Sequence, residues 1–239
     1  LHVRSRRQRQ MCIRDRYKFD RESCWFKKVC TAYKSNTCEK FCVRYMEFDF
    51  LIYASRLPKK LQYPAKLTPE DKDLACFTML DDLRSDILTF VEEGENLIIA
   101  GANTGNGKTT WAVKLLLRYF QEVWACNGFR PRGLFISTSS LFFAIKQSFS
   151  KENDVKEILD LIPKVDLIVW DDVAVKSLTA FEQDLLYDFI NTRMNNGLSN
   201  IFTTNILPEN LEAEIGKRIA SRIMSGNQAF ILGRDRRHG

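Results

Sequence analysis

The sequence predicts an α/β fold in which a mainly parallel sheet is covered by helices on both faces. Three observations predict it. Short apolar runs at residues 96–100, 133–137, 166–170 and 200–204 alternate with helical patterns at 111–123, 141–149 and 181–194. The first run passes directly into a glycine-rich turn, Gly101 to Thr110, that opens the first of those helices. Finally, 239 residues with 45% hydrophobic content suffice for one core of ordinary size and a small appendage. No apolar run approaches the ~20 residues of a membrane-spanning helix, so a soluble chain with no membrane partner is expected.

The formal net charge of +6 is concentrated at one end. Residues 1–16, LHVRSRRQRQMCIRDR, hold six of the 36 basic residues (arginine at 4, 6, 7, 9, 14 and 16) and one of the 30 acidic ones; without them the net charge is +1. One reading is a disordered basic arm. Another comes from back-translation: residues 6–15, written CGT CGG CAG CGT CAG ATG TGT ATA AGA GAC, resemble a tagmentation adapter of short-read sequencing read in one frame. Residues 1–16 are therefore set apart as a disordered library artefact, with the natural chain expected from about Tyr17. The overall basicity is then no argument for a nucleic-acid partner.

Residues 17–55 are rich in Cys, Lys and aromatics, and residues 56–68 read as a basic linker around Pro58 and Pro64, since each proline biases its predecessor away from helix. A globular domain is expected over residues 69–239. Thr68 and Pro69 suit an N-cap and first helical position. Leu74, Phe77, Leu80, Leu83, Ile87 and Phe90 then follow at helical spacing, and Gly94 ends the run.

Gly107-Lys108-Thr109 completes G-x-x-x-x-G-K-[ST], with Ala102 in the first glycine position and Gly101 before it. Such a turn points successive N–H groups at phosphates, at the positive end of the following helix. Asn103, Thr104, Gly105, Asn106 and Thr110 complete the loop. Lys108 would reach the β- and γ-phosphates and Thr109 would ligate Mg²⁺. The bland reading, a strand-to-helix turn with a surface lysine, loses ground to the strand before and the helix after.

A partner site lies in Val165 to Val173, VDLIVWDDV, which delivers Asp171 and Asp172 at a strand end. Asp171 would hold the Mg²⁺, directly or through water. Asp172 stands where an attacking water would be activated; as the shorter acid it implies slow hydrolysis. Asn205, at the polar tip of NIFTTN, would orient that water or touch the γ-phosphate, unless it is a plain turn residue. Arg218 and Arg222, in GKRIASRI, fall one helical turn apart. They are either merely solvated or a finger presented to a neighbour's triphosphate, with Arg222 preferred.

In this order the motifs resemble those of the AAA+ ATPases of P-loop type, and among them the bacterial and phage helicase loaders of the DnaC/DnaI type and the related IstB transposition helpers. The resemblance covers about residues 70–239 and rests on GANTGNGKTT, LIVWDD, IFTTN, RIASRI and FILGRDRR. It implies a P-loop sheet flanked by helices without a C-terminal lid domain. It also implies ATP-controlled binding to single-stranded DNA and to a DnaB-type replicative helicase, and self-association through an arginine finger. Two other readings stay open: a transposition helper acting on duplex DNA, and a non-hydrolysing, nucleotide-gated adaptor. For DNA contact, Lys146 and Lys151 are weak candidates, with Phe142 and Phe143 expected in the core.

Cys24, Cys30, Cys38 and Cys42 form C-x5-C-x7-C-x3-C, a set that could close a tetrahedral Zn²⁺ site. Two disulfides, an iron–sulfur cluster and free thiols are the rivals. A nucleotide-dependent ATPase is expected in a reducing cytoplasm, which disfavours the disulfides. The resemblance favours zinc, because some loaders carry an N-terminal zinc-binding, helicase-contacting domain. Cys76 and Cys126 are expected to be packing residues.

Overall fold

The structure, a computed structural model, describes residues 21–235 apart from residues 23, 29, 39–41, 125–127, 149–152 and 174–176. The adapter-like stretch, Cys12, Cys126, Lys151 and the last arginines of FILGRDRR lie outside the described residues. In chain order the elements are α1 (Thr31–Lys34), α2 (Val43–Ala54), α3 (Leu74–Ser85), α4 (Ile87–Glu92), β1 (Asn96–Ala100), α5 (Lys108–Val123), β2 (Gly133–Ser137), α6 (Thr138–Ser148), α7 (Asn153–Leu161), β3 (Leu167–Asp171), α8 (Ala180–Asn195), β4 (Ser199–Thr204), α9 (Pro208–Ile215), α10 (Lys217–Met224) and β5 (Asn227–Phe230).

The five strands form one parallel sheet in the order β2-β3-β4-β1-β5. Period-two alternation sends Leu97, Ile99, Leu167, Val169 and Ile201 into a core layer with α2 to α5. Ile98, Ile168, Trp170 and Phe202 go to the other layer, with α6, α8, α9 and α10. Both faces of the sheet are therefore buried, which is why its strands read as continuous apolar runs. β4 lies between β1 and β3, so the phosphate loop after β1 and the acidic end of β3 flank the polar tip of β4.

The helix expected from Thr68 to Gly94 is broken at two places. Glu70 is extended, a 3-10 turn covers Asp71–Asp73, and α3 starts only at Leu74. Asp73 is fully buried, and its carboxylate is taken by a distant segment: Leu232 N and Gly233 N donate to Oδ1 at 2.8 and 3.1 Å. A second break falls at Asp86, whose Oδ1 accepts from Thr89 Oγ1 at 2.7 Å as α4 begins.

Residues on the amino side of the linker, and some within it, pack on this core. Phe26, Phe48, Leu51, Ile52 and Leu57 join the α5 layer, Trp25 stacks on Tyr63, and Phe135 N of β2 donates to Ser55 O at 2.8 Å. Phe142 is buried as expected, whereas Phe143 is 63% exposed.

α8 carries buried polar residues on its apolar face, at Glu182 and Arg193 beside Leu186 and Ile190. Glu182 closes a capping box with Thr179 and bonds Lys146 of α6 at 2.8 Å. Burial opposes its charge, but Lys146 and the Thr179 N–H and hydroxyl overcome this and lower its pKa from 4.5 to about 2. With the folded-state pKa depressed, this stabilisation is complete above about pH 4.5 and is lost as pH falls toward 2. Urea unfolding across that window should therefore show a steeper loss of stability in the native chain than in Glu182→Gln; parallel slopes would refute the pairing.

Candidate nucleotide site

The loop begins where β1 ends. Its first glycine is required by a close approach: a Cβ on Gly101 would stand 2.1 Å from Ile231 O. Gly107 has φ +109°, a conformation that L side chains rarely adopt, and from it α5 starts at Lys108. Ala102, in the consensus glycine position, does not take a positive φ, so alanine is accommodated there.

Lys108 is 5% exposed, and its ammonium donates to Gly101 O and Asn103 O at 2.8 Å and to Asn106 Oδ1 at 2.9 Å. The charge is thus held at the centre of the loop rather than at the surface. The loop is also tied to the chain beyond β5. Asn106 Nδ2 donates to Ile231 O and Asn103 Nδ2 to Gly233 O, both at 2.9 Å. Because Asp73 holds the next two backbone N–H groups, the start of α3, the loop and residues 231–233 form one clamp.

Asp171, the last residue of β3, accepts from Thr109 Oγ1 at 2.7 Å and from Thr203 Oγ1 at 2.8 Å on the same oxygen. Burial raises its pKa; the two hydroxyls and Lys108 oppose that, and Asp172 adds to it. A hydroxyl and a carboxylate this close are hard oxygen donors of the kind Mg²⁺ selects, so the residues present fit that ion. Asp172 follows at φ +54°, in the left-handed region, with its N–H donating to Thr203 Oγ1 at 2.9 Å. Strain of that kind collects at functional sites. Thr203 therefore bridges both acids, a role the sequence reading missed; its signal was a hydroxyl on a buried strand, two residues before Asn205. Asn205 itself is the first residue beyond β4 and is half-buried. Thr104 and Gly105 lie at the turn of the loop, and Thr110 in the first turn of α5.

Arg218 and Arg222 stand on α10 against α8. Arg218 is exposed with its guanidinium carbon 4.0 Å from the Tyr187 ring centroid, and that of Arg222 is at 4.8 Å. A cavity of about 510 Å³ opens beside α5, with Leu67, Phe77 and Trp111 in its wall. Leu67 also packs against Gly107.

Cys24, Cys30, Cys38 and Cys42 are all partly buried free thiols, so no disulfide joins them. Burial raises the pKa of Cys24, its hydrogen bond to Phe26 opposes this, and the other three thiols add to the rise. Among the described residues, however, no three Cys, His, Asp or Glu side chains are arranged to hold a metal ion. Burial pushes Cys76 up to about 11, in keeping with a packing thiol.

A central strand ending in a lysine-centred loop, with an acidic strand end two positions away across the sheet, defines a P-loop nucleotide-binding protein of the AAA+ type. More particularly, the chain belongs to the IstB-like ATP-binding family, whose model matches residues 62–224. The replicative helicase loader DnaC of Escherichia coli (strain K12) is 24% identical over 150 residues, which cover 60% of this chain and 57% of that protein. The chain thus spans little more than half the length of the curated relatives it matches.

Among solved structures, that of the DnaC helicase loader superposes with a TM-score of 0.60 at 23% identity, over 73% of this chain and 99% of that one. DnaI superposes with a TM-score of 0.58 at 20% identity, over 76% and 95%. The replication initiator DnaA bound to AMPPCP and single-stranded DNA gives 0.55 at 20% identity, over 74% and 51%. At these identities the three establish the fold. Among the described residues no helix is long and apolar enough to cross a membrane.

Proposed function

We propose that this chain is an ATP-hydrolysing loader of a DnaB-type replicative helicase, acting in the cytoplasm on single-stranded DNA. The observation that carries the nucleotide part is the convergence of Lys108, Thr109 and Asp171 at the mouth of the loop. Lys108 would draw the β- and γ-phosphates into the loop's N–H groups, and Thr109 and Asp171 would hold Mg²⁺ between them. The ion would supply charge neutralisation on the phosphate oxygens. Asp172 would orient the attacking water, with Thr203 fixing its backbone and Asn205 on the adjacent strand end. Leu67, Phe77 and Trp111, in a cavity wall that also holds Lys66, Asp81 and Lys114, would give the base a surface to pack on.

The helicase-loading part is supported by the match to DnaC, and single-stranded DNA is the ligand of the DnaA neighbour. Exposed Phe143, one turn from Lys146, would be a place for a base to stack. The family's IstB-like description favours a second reading, a transposition helper. Co-purification with a DnaB-type helicase, against a transposase as rival bait, decides between the two. Phosphate release with and without single-stranded DNA excludes or supports a non-hydrolysing adaptor.

Arg222 would serve as an arginine finger toward the triphosphate of a neighbouring copy, with Arg218 as its companion. Arg222→Ala should keep ATP affinity and lower hydrolysis by about 10³-fold. Full hydrolysis by that variant, or by an isolated monomer, would end the finger reading. Zinc at the four thiols stands apart from this chemistry. Its only support in this chain is the C-x5-C-x7-C-x3-C spacing, since no three ligating side chains are arranged for a metal among the described residues, and metal content of the purified chain, compared with Cys24→Ser, decides it.

A further inference from the structure

We infer that Tyr187 and Asn191 of α8 are positioning residues that aim the Arg222 guanidinium at the triphosphate of a second copy of this chain. The inference rests on the arginine-finger reading. One terminal nitrogen of Arg222, Nη2, donates to both: to Tyr187 Oη at 3.0 Å and to Asn191 Oδ1 at 2.5 Å. Neither bond uses Nη1. Arg222 Nε is buried without a hydrogen-bond partner among the described residues, so the side chain gives up solvent to take this placement.

The two guanidiniums of α10 would repel each other in the same space. Tyr187 is what brings them together, since both lie within cation–π reach of its ring, at 4.0 and 4.8 Å. An arginine side chain explores many rotamers, and a finger has to present its fork in one direction at the moment charge develops. Anchoring Nη2 fixes the plane of the guanidinium and leaves Nη1 to the phosphate. Tyr187 and Asn191 are one helical turn apart on α8, as Arg218 and Arg222 are on α10, so the two helix faces match.

A bond across two helices could also serve stability alone, so the test separates the two roles. Two full-length variants are mixed with ATP, Mg²⁺ and a single-stranded oligonucleotide. Lys108→Ala, at an ATP concentration well below its weakened affinity, stays empty of nucleotide but donates a finger; Arg222→Ala holds nucleotide but lacks one. Hydrolysis restored in the mixture comes from the interface that joins the intact halves. Tyr187→Ala in the finger-donating chain should lower the restored rate about tenfold at unchanged KM for ATP, and Asn191→Ala should do the same. Tyr187→Phe keeps the ring and should lose only about threefold. Restoration should persist when Tyr187→Ala is made in the nucleotide-holding chain instead. Equal loss in either chain would show a structural brace and overturn the inference, as would no loss in the finger-donating chain. If the mixture shows no restoration with Tyr187 intact, the finger reading falls and this inference with it.

Discussion

Lys108→Ala is expected to lower ATP affinity by about 100-fold or more, from the loss of charge-assisted bonds of roughly 1.5–3 kcal/mol each. The lysine carries the one positive charge held inside the loop by its own oxygens, Gly101 O, Asn103 O and Asn106 Oδ1. A triphosphate brought into the loop needs that charge, because the backbone N–H groups supply only partial ones. The variant should still fold: the sheet pairs elsewhere, and the loop is tied through Asn103 and Asn106 to residues 231–233. Calorimetric titration with ATP gives the affinity, and urea unfolding confirms that the protein titrated is folded. Affinity retained by a folded variant would overturn the site.

Arg193→Met is expected to cost about 3–5 kcal/mol of stability, a large share of the roughly 5–15 kcal/mol that holds a domain together. Arg193 is fully buried, and its guanidinium donates to Asn200 Oδ1 and to the carbonyls of Ile162, Val165, Asp166 and Ser199. Burial lowers its pKa to about 9, against the pull of Asp166. It closes the end of α7, the start of β3 and the start of β4 around one planar fork. Asn200 extends the network by accepting from Trp170 Nε1 at 3.0 Å and donating to Asn96 Oδ1 at 2.8 Å. Methionine fills much of the volume but leaves those acceptors unpaired, while Arg193→Lys, with a point charge in place of a fork, should fall between the two. Urea unfolding measures the difference; a loss below about 1 kcal/mol would mean that the site rearranges to satisfy its carbonyls.

The strands and the phosphate loop were legible because local patterns settle them. Asn96–Ala100 and Gly133–Ser137 are the strands read from the sequence; the third shifts by one residue, to Leu167–Asp171, and the fourth gains one at its start, as Ser199–Thr204. Less was legible where a residue answers to a distant partner. Asp73 ends the expected helix start because residues 232 and 233 claim its carboxylate. Arg193 falls at helical spacing from Leu186 and Ile190, a position that marks it as buried, yet its acceptors come from three other segments. The helix Asn153–Leu161 also went unread, as did Pro208–Ile215.

The sequence by itself determined the α/β alternation, the lysine-centred loop, the acid pair at the end of a buried strand and the arginine pair on one helical face. The alternation is a series of local patterns, and each of the other three is encoded within about ten consecutive residues, where spacing and residue type suffice. Only the tertiary structure decided that Thr203 bridges Asp171 and Asp172, that residues 231–233 clamp the loop, and that Tyr187 and Asn191 hold Arg222. Those contacts join residues that lie far apart along the chain. They form because burying both faces of the sheet brings unrelated segments within bonding distance, where most buried polar groups find a partner.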